Sequence, residues 1–269
     1  MLFLFLLIAA SCGNSKKQAE FSGGTFSLCL KSSYSAIDPM MMDDYPSIQI
    51  LGQIYEGLVS FDPKEVTVQP QLAKNYKIKN GGLTYEFTLR DSVYFHDFGD
   101  RDRKRKLTPE DVIFSLERAC KPIEMDGETV AYTQIYKDRI KGADEYFKNK
   151  TDHISGIKAE GNVITIELIQ PDFNFLAKMC QPCCAIVSKK FFKDKGQPIG
   201  TGPFILNKEL ENSINLKLLK NPEYYMTDET GCSLPYLDTL EFIFQTKKLV
   251  ELTMFENKKL DIIMGLPPS

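Results

Sequence analysis

Tryptophan is absent from this 269-residue chain, and histidine occurs only at His96 and His153. Two histidines so far apart in sequence make metal ligation through imidazole unattractive. Neither charge sign dominates: 33 basic and 36 acidic residues, interspersed along the chain, give a net charge of −3. Without a basic field, nucleic-acid binding is excluded as a main role. No apolar run reaches the ~20 residues that a membrane-spanning helix needs. No internal repeat or low-complexity tract stands out. What is present is 43% apolar and 26% charged residues. That suits a soluble globular chain of one or two domains with a sizeable core.

The first ten residues, Met1 to Ala10, are wholly apolar. This length fits the central region of a secretory signal. Ala9-Ala10-Ser11 then precede Cys12, which resembles a lipobox whose cysteine becomes lipidated. Residues 13–23 are polar and aperiodic, as a flexible tether would be. No Lys or Arg precedes the apolar run, unlike an ordinary signal. A buried N-terminal strand or helix is the competing reading.

Six cysteines remain: Cys29, Cys120, Cys180, Cys183, Cys184 and Cys232. Cys180-Gln181-Pro182-Cys183 has the spacing of a redox pair. A redox pair wants a strand before it and a helix after it, so that the helix N-terminus lowers the first thiol's pKa. Here the predicted order is reversed, with a helix over 173–179 and a strand at Ala185-Ile186-Val187. Buried thiols, or a structural disulfide among Cys180, Cys183, Cys184 and Cys120 or Cys232, are the plainer expectation. Structural zinc would need two spaced ligand pairs, which are lacking.

Periodicity predicts a mixed α/β chain. Phe26, Leu28 and Leu30 alternate in a first strand, and 33–46 reads as a loop. Ser47 is a candidate cap for a helix carrying Ile48, Leu51, Tyr55 and Leu58. Tyr85, Phe87 and Leu89 mark a strand after Gly81-Gly82. Thr108-Pro109-Glu110-Asp111 has the form of a capped helix start. Gly161-Asn162 predicts a hairpin turn. Phe204 and Leu206 pair with 214–218. Leu240, Phe242 and Phe244 make a further strand, 247–256 a helix, and 261–265 a short buried strand. The basic run Arg101 to Lys106 reads as a solvated hairpin tip. His96-Asp97 lacks a nucleophile beside it and reads as a structural hydrogen bond.

Several motifs gain meaning from their order. They are Tyr55-Glu56-Gly57-Leu58, Pro70-Gln71-Leu72-Ala73, Thr84 to Arg90, Leu107-Thr108-Pro109-Glu110-Asp111-Val112, Gly200-Thr201-Gly202-Pro203-Phe204 and Asn221-Pro222-Glu223-Tyr224-Tyr225. Together they resemble the extracytoplasmic solute-binding proteins of ABC importers, in the oligopeptide/dipeptide/nickel-binding family (bacterial family 5). The resemblance covers roughly residues 24 to 267, the N-terminal half of such a protein. It implies a periplasmic-binding-protein-like (type II) α/β fold: lobe I with an inserted subdomain and a mixed sheet, and lobe II absent. By analogy, 24–44 and 190–269 build the lobe I sheet, 45–189 the inserted subdomain, and 1–23 the signal and tether.

The resemblance also implies a function. The expected role is a lipid-anchored, monomeric receptor outside the cytoplasmic membrane that captures peptides for an ABC permease, with no catalysis and no cofactor. Ligand contacts are expected from Asp43, Asp44 and Tyr45 after the first strand, from Tyr132, and from Met264 and Gly265 near the crossover. Asp43 is placed to meet a peptide's α-amino group, and exposed backbone edges to pair with an extended ligand. Tyr132 and Met264 are equally compatible with core positions, and Asp43 with a solvated one. Alternatives are a nickel, haem or other small-solute receptor of the same family, or an exported thiol oxidoreductase using Cys180 and Cys183.

Overall fold

The computed structural model describes residues 22–36, 38–42, 44–96, 105–121, 123–125, 128–130, 135–190, 198–206 and 211–265. The chain enters through β1 (Thr25–Leu30), a 3-10 turn at Pro39–Met41 and α1 (Tyr45–Leu51). A small hairpin follows, β2 (Val59–Phe61) and β3 (Val68–Pro70), then β4 (Ala73–Lys79) and β5 (Thr84–Leu89). Next come α2 (Pro109–Arg118), the hairpin β6 (Ile123–Met125) and β7 (Glu128–Val130), and α3 (Ala143–Phe147). β8 (Ile157–Glu160), β9 (Val163–Glu167) and α4 (Phe175–Met179) continue the chain. It returns through β10 (Phe204–Leu206), β11 (Asn215–Lys220), β12 (Thr239–Phe244) and α5 (Lys248–Glu256).

Two four-stranded sheets carry the architecture. The first has the order β1-β12-β11-β10 and the second β4-β5-β9-β8. In the first, β1 and β12 run parallel, from Thr25 opposite Thr239 to Leu30 opposite Phe244. Its other pairs are antiparallel, as are all pairs of the second sheet. The fold is therefore mixed α/β.

Local sequence accounts for most of these elements. In β5, Tyr85, Phe87 and Leu89 are buried and alternate with half-buried positions, as a strand with one core face requires. Gly161, at φ 57°, makes the tight β8–β9 turn, where a left-handed residue is needed. In α2 the Asp111 carboxylate takes the Thr108 N–H at 3.0 Å and its hydroxyl at 2.6 Å. Pro109 fits the first turn, where its missing N–H has no role. The edge strand β4 exposes Lys74, Lys77 and Lys79, charges that discourage pairing with another sheet.

Each sheet has its own core. Leu206, Leu216, Leu218 and Phe242 of the first pack with Ile50, Leu51 and Ile54 from α1 and the turn after it. Phe87, Leu89, Ile164 and Ile166 of the second pack with Val112 and Leu116 of α2 and with Phe175 of α4. Each such side chain contributes roughly 1.5–3 kcal/mol by leaving water.

The structure departs from sequence-based expectation at identifiable points. Asp44, not Ser47, caps α1. Its carboxylate accepts the Ser47 N–H at 2.8 Å, and the helix ends at Leu51, short of Tyr55. Residues 185–187 are extended but join no ladder, because Ile186 N–H is taken by Glu56 O and Val187 N–H by Ser115 Oγ. Residues 261–265 form no strand. Asp261 accepts the Ser27 N–H on its carboxylate at 2.7 Å and donates its own N–H to Ser27 O at 2.9 Å. A side chain thus occupies the β1 edge where a ladder would begin. On α5 the buried residue is Glu251, while Leu249 is 71% exposed. The six described cysteines are free thiols, so no disulfide forms among them. Among the described residues no helix is long and apolar enough to cross a membrane.

Candidate functional site

The ordered motifs converge on one buried carboxylate. Glu56 is 2% exposed. It accepts the Thr201 hydroxyl at 2.8 Å, Tyr224 OH at 2.9 Å, Tyr225 OH at 3.1 Å and Gln71 Nε2 at 3.2 Å. Burial pushes its carboxyl up to about 7, against the pull of those four donors. Arg90 lies over the Tyr225 ring at 5.3 Å and donates to Gln71 O at 2.6 Å. Gly200 and Gly202 are required by close approach. A Cβ on Gly200 would sit 1.9 Å from Ile54 O, and one on Gly202 would sit 2.5 Å from Gln53 O. His96 N–H bonds Gly200 O at 2.8 Å, and its Nε2 lies 2.9 Å from Gly202 O. Burial pushes the His96 imidazole down to about 4. These residues form a structural junction between the two sheets. The expected structural role of His96 is what its geometry displays.

A cavity of about 480 Å³ lies elsewhere, at the carboxyl ends of β1 and β12. Ligands in open α/β sheets favour this end of parallel strands, because the connecting segments splay apart there. Leu30 and Lys31 leave β1 on one side, and Gln245 and Thr246 leave β12 on the other. Tyr45 and Pro46, at the start of α1, form a second wall, and Lys248, Glu251 and Met264 a third. Cys29 also reaches the cavity, and burial pushes its thiol up. Lys248 Nζ donates to Glu251 Oε2 at 2.6 Å and to Met264 O at 2.6 Å.

The candidate residues named from sequence divide as follows. Tyr45, 51% exposed, and Met264, 49% exposed, line this one cavity. Asp44 lies beside Tyr45, and its carboxylate is engaged by the hydroxyls of Ser35 and Ser47, both at 2.6 Å. Burial alone would raise its pKa, but these hydrogen bonds outweigh burial and lower it. Gly265 is exposed at φ 77°. Asp43, Tyr132, Cys12 and Arg101 to Lys104 lie outside the described residues. Sequence reasoning missed Lys248 and Glu251, whose i, i+3 spacing was the available signal.

The thiols lack the layout of a redox centre. α4 precedes Cys180 and presents its C-terminal end to it. Burial pushes the Cys180 thiol up to about 11 and raises Cys184 well above its usual value. Cys183 is held lower by its hydrogen bond with Cys184, but it is buried. Among the described residues, no group of three His, Cys, Asp or Glu side chains is placed to hold a metal ion.

The family model "Bacterial extracellular solute-binding proteins, family 5 Middle" matches residues 67–269. The chain belongs to that family. Its members are non-enzymatic carriers. A probable di/tripeptide-binding protein 5 of Pseudomonas aeruginosa is 24% identical over 264 residues, covering 92% of this chain and 46% of the relative. A haem-binding protein A of Haemophilus influenzae is 27% identical, covering 73% of this chain and 37% of the relative. Among solved structures, the periplasmic binding protein DppA of Helicobacter pylori, in complex with the peptide STSA, is similar with a TM-score of 0.69. Its sequence is 26% identical, over 89% of this chain and 46% of that one. The chain spans about half the length of these relatives, corresponding to their N-terminal half. The two sheets fit a partial lobe of the periplasmic-binding-protein fold.

Proposed function

We propose that this chain provides the first lobe of a peptide receptor that serves an ABC importer outside the cytoplasmic membrane. The observation that carries the reading is the cavity at the carboxyl ends of β1 and β12, in a chain of this family. Tyr45 and Met264 supply apolar walls for a ligand side chain, and Asp44 and Gly265 flank those walls. Asp43 and Tyr132 complete the set of contacts. The first sheet, from 24–44 and 190–269, is the lobe proper, and 45–189 is its inserted subdomain. Cys12 is the lipid attachment point, residues 1–23 are the signal and tether, and the receptor acts as a monomer with an ABC permease.

A cavity of this kind is one wall of a site. Ligands are usually enclosed over ~70–90% of their surface. A second lobe closing over the first would supply the opposite wall. The chain spans about half of the relatives' length, which fits a first lobe that works with a second.

Haem is the second reading, supported by the Haemophilus influenzae relative. One titration series separates the two. The purified chain, and the longest product of its gene, are titrated with a dipeptide, a tripeptide and a longer peptide by calorimetry, and with haem by visible absorption. Peptide heats that saturate at one site, weakened by Tyr45→Ala, support the peptide receptor. Haem saturation without peptide heats transfers the assignment to haem. If no ligand binds either product, the receptor reading is lost.

A further inference from the structure

The Lys248–Glu251 pair does something unusual for an ion pair on a helix: it engages both backbone groups of one distant residue. Lys248 Nζ takes Met264 O at 2.6 Å, and Met264 N–H points to Glu251 Oε1 at 3.4 Å. Two side chains thus engage the backbone groups that a strand partner would otherwise take. Three residues earlier, Asp261 is fastened to both backbone groups of Ser27 on the β1 edge. Residues 261–264 are thereby pinned at both ends, to a strand and to a helix. Cys29, two residues along the edge from Ser27, lines the same cavity as Met264 and is only 7% exposed.

We propose that Lys248 and Glu251 are positioning residues that clasp Met264 over the cavity and make it the wall that covers Cys29. Glu251 is 4% exposed, so its charge needs Lys248 close by; an unpaired buried carboxylate is strongly disfavoured. Lys248 in turn is held by two oxygens at 2.6 Å, geometry that belongs to strong, charge-assisted hydrogen bonds. The clasp is a property of the folded chain and needs no ligand. Its effect on affinity rests on the peptide-receptor reading.

The native Cys29 thiol reports on the clasp. The whole chain is treated with a small maleimide, and labelling at each cysteine is followed by peptide mass mapping. Lys248→Met keeps the apolar stem and removes both hydrogen bonds. Loss of the one to Met264 O should raise the Cys29 labelling rate by about tenfold, the scale of a charge-assisted hydrogen bond, while the buried Cys232 stays unlabelled. Lys248→Arg should restore slow labelling. Equal Cys29 rates in Lys248→Met and wild type overturn the clasp. So does a parallel rise at Cys29 and Cys232, which reports general loosening. Peptide titration forms a separate arm. An affinity change in Lys248→Met without a change at Cys29 also sinks the clasp and leaves the receptor reading standing. Fast Cys29 labelling in Lys248→Met, where neither the chain nor the longest product of its gene binds peptide, supports the clasp and removes the receptor.

Discussion

The carboxylate of Glu56 accepts the hydroxyl of Tyr224 at 2.9 Å, across 168 positions of sequence. Thr201 reaches the same carboxylate across 145 positions and Tyr225 across 169. Replacing Glu56 by Ala removes the acceptor that Thr201, Tyr224 and Tyr225 share. The loss should be about 2–4 kcal/mol, the range for breaking a buried polar network. Tyr225→Phe removes one donor and should lose about 1 kcal/mol. Urea denaturation of the two variants checks both the values and their order.

The pH dependence of this junction follows from two opposed groups. Glu56 is raised from 4.5 to about 7, so its contribution is full below about pH 4.5 and is lost as pH rises through about 7. His96 is lowered from 6.5 to about 4, so its contribution is present above pH 6.5 and is lost as pH falls toward 4. Each amounts to up to about 3 kcal/mol, and between about pH 4.5 and 6.5 they offset each other. Glu56→Gln should therefore turn acid-labile in that window. His96→Gln should instead lose stability as pH rises from 4.5 to 7. Denaturation midpoints of the two variants against pH test this; slopes of the same sign would contradict it.

Gly200 cannot become Ala without moving the backbone of Ile54, since the new Cβ would meet a carbonyl oxygen at 1.9 Å. The substitution should lose at least about 3 kcal/mol, beyond the usual range of overpacking. Gly231→Ala, with open space around its Cβ, should lose no more than about 1–2 kcal/mol through its positive φ. Thermal unfolding of the pair separates steric from conformational effects.

Among the cysteines, Cys180 is the partly exposed member of its cluster, and its thiol is pushed up to about 11. It should react with an aromatic disulfide reagent at neutral pH more slowly than an unfolded-chain thiol. The remaining described thiols should titrate fully only in denaturant. A thiol in the native chain that reacts faster than the denatured control would revive the oxidoreductase alternative.

Much of this fold is local information. β5 reveals itself because Tyr85, Phe87 and Leu89 repeat with the period of a strand, and α2 because Thr108, Pro109 and Asp111 fill adjacent capping roles. α1 shows where local reading stops. Asp44 and Ser47 are both good caps, and only the folded chain gives the capping position to Asp44, whose carboxylate gathers Ser35 as well. α5 carried an apolar pattern, yet its inward residue is Glu251, because the inward partner is a bare backbone segment needing hydrogen bonds. The Glu56 junction was visible only as motifs without a stated purpose, since its donors come from turns far apart in the chain. The meeting of Tyr45 and Met264 at one cavity has the same character: no periodicity links them, and only the parallel pairing of β1 with β12 brings their ends together.

That parallel pairing also sets an order of events. Ser27 and Glu241 touch across 214 positions, so among the described strands β1 has no neighbour until β12 has been synthesised. The strands of the second sheet are complete by residue 167 and the buried residues of its core cluster by Ile186, so that sheet can assemble while β1 is still waiting. Contacts of such long range slow the final step of folding. β1 is thus the first of the described strands to be made and among the last to be secured, and a chain halted before β12 leaves β1 without its strand partner.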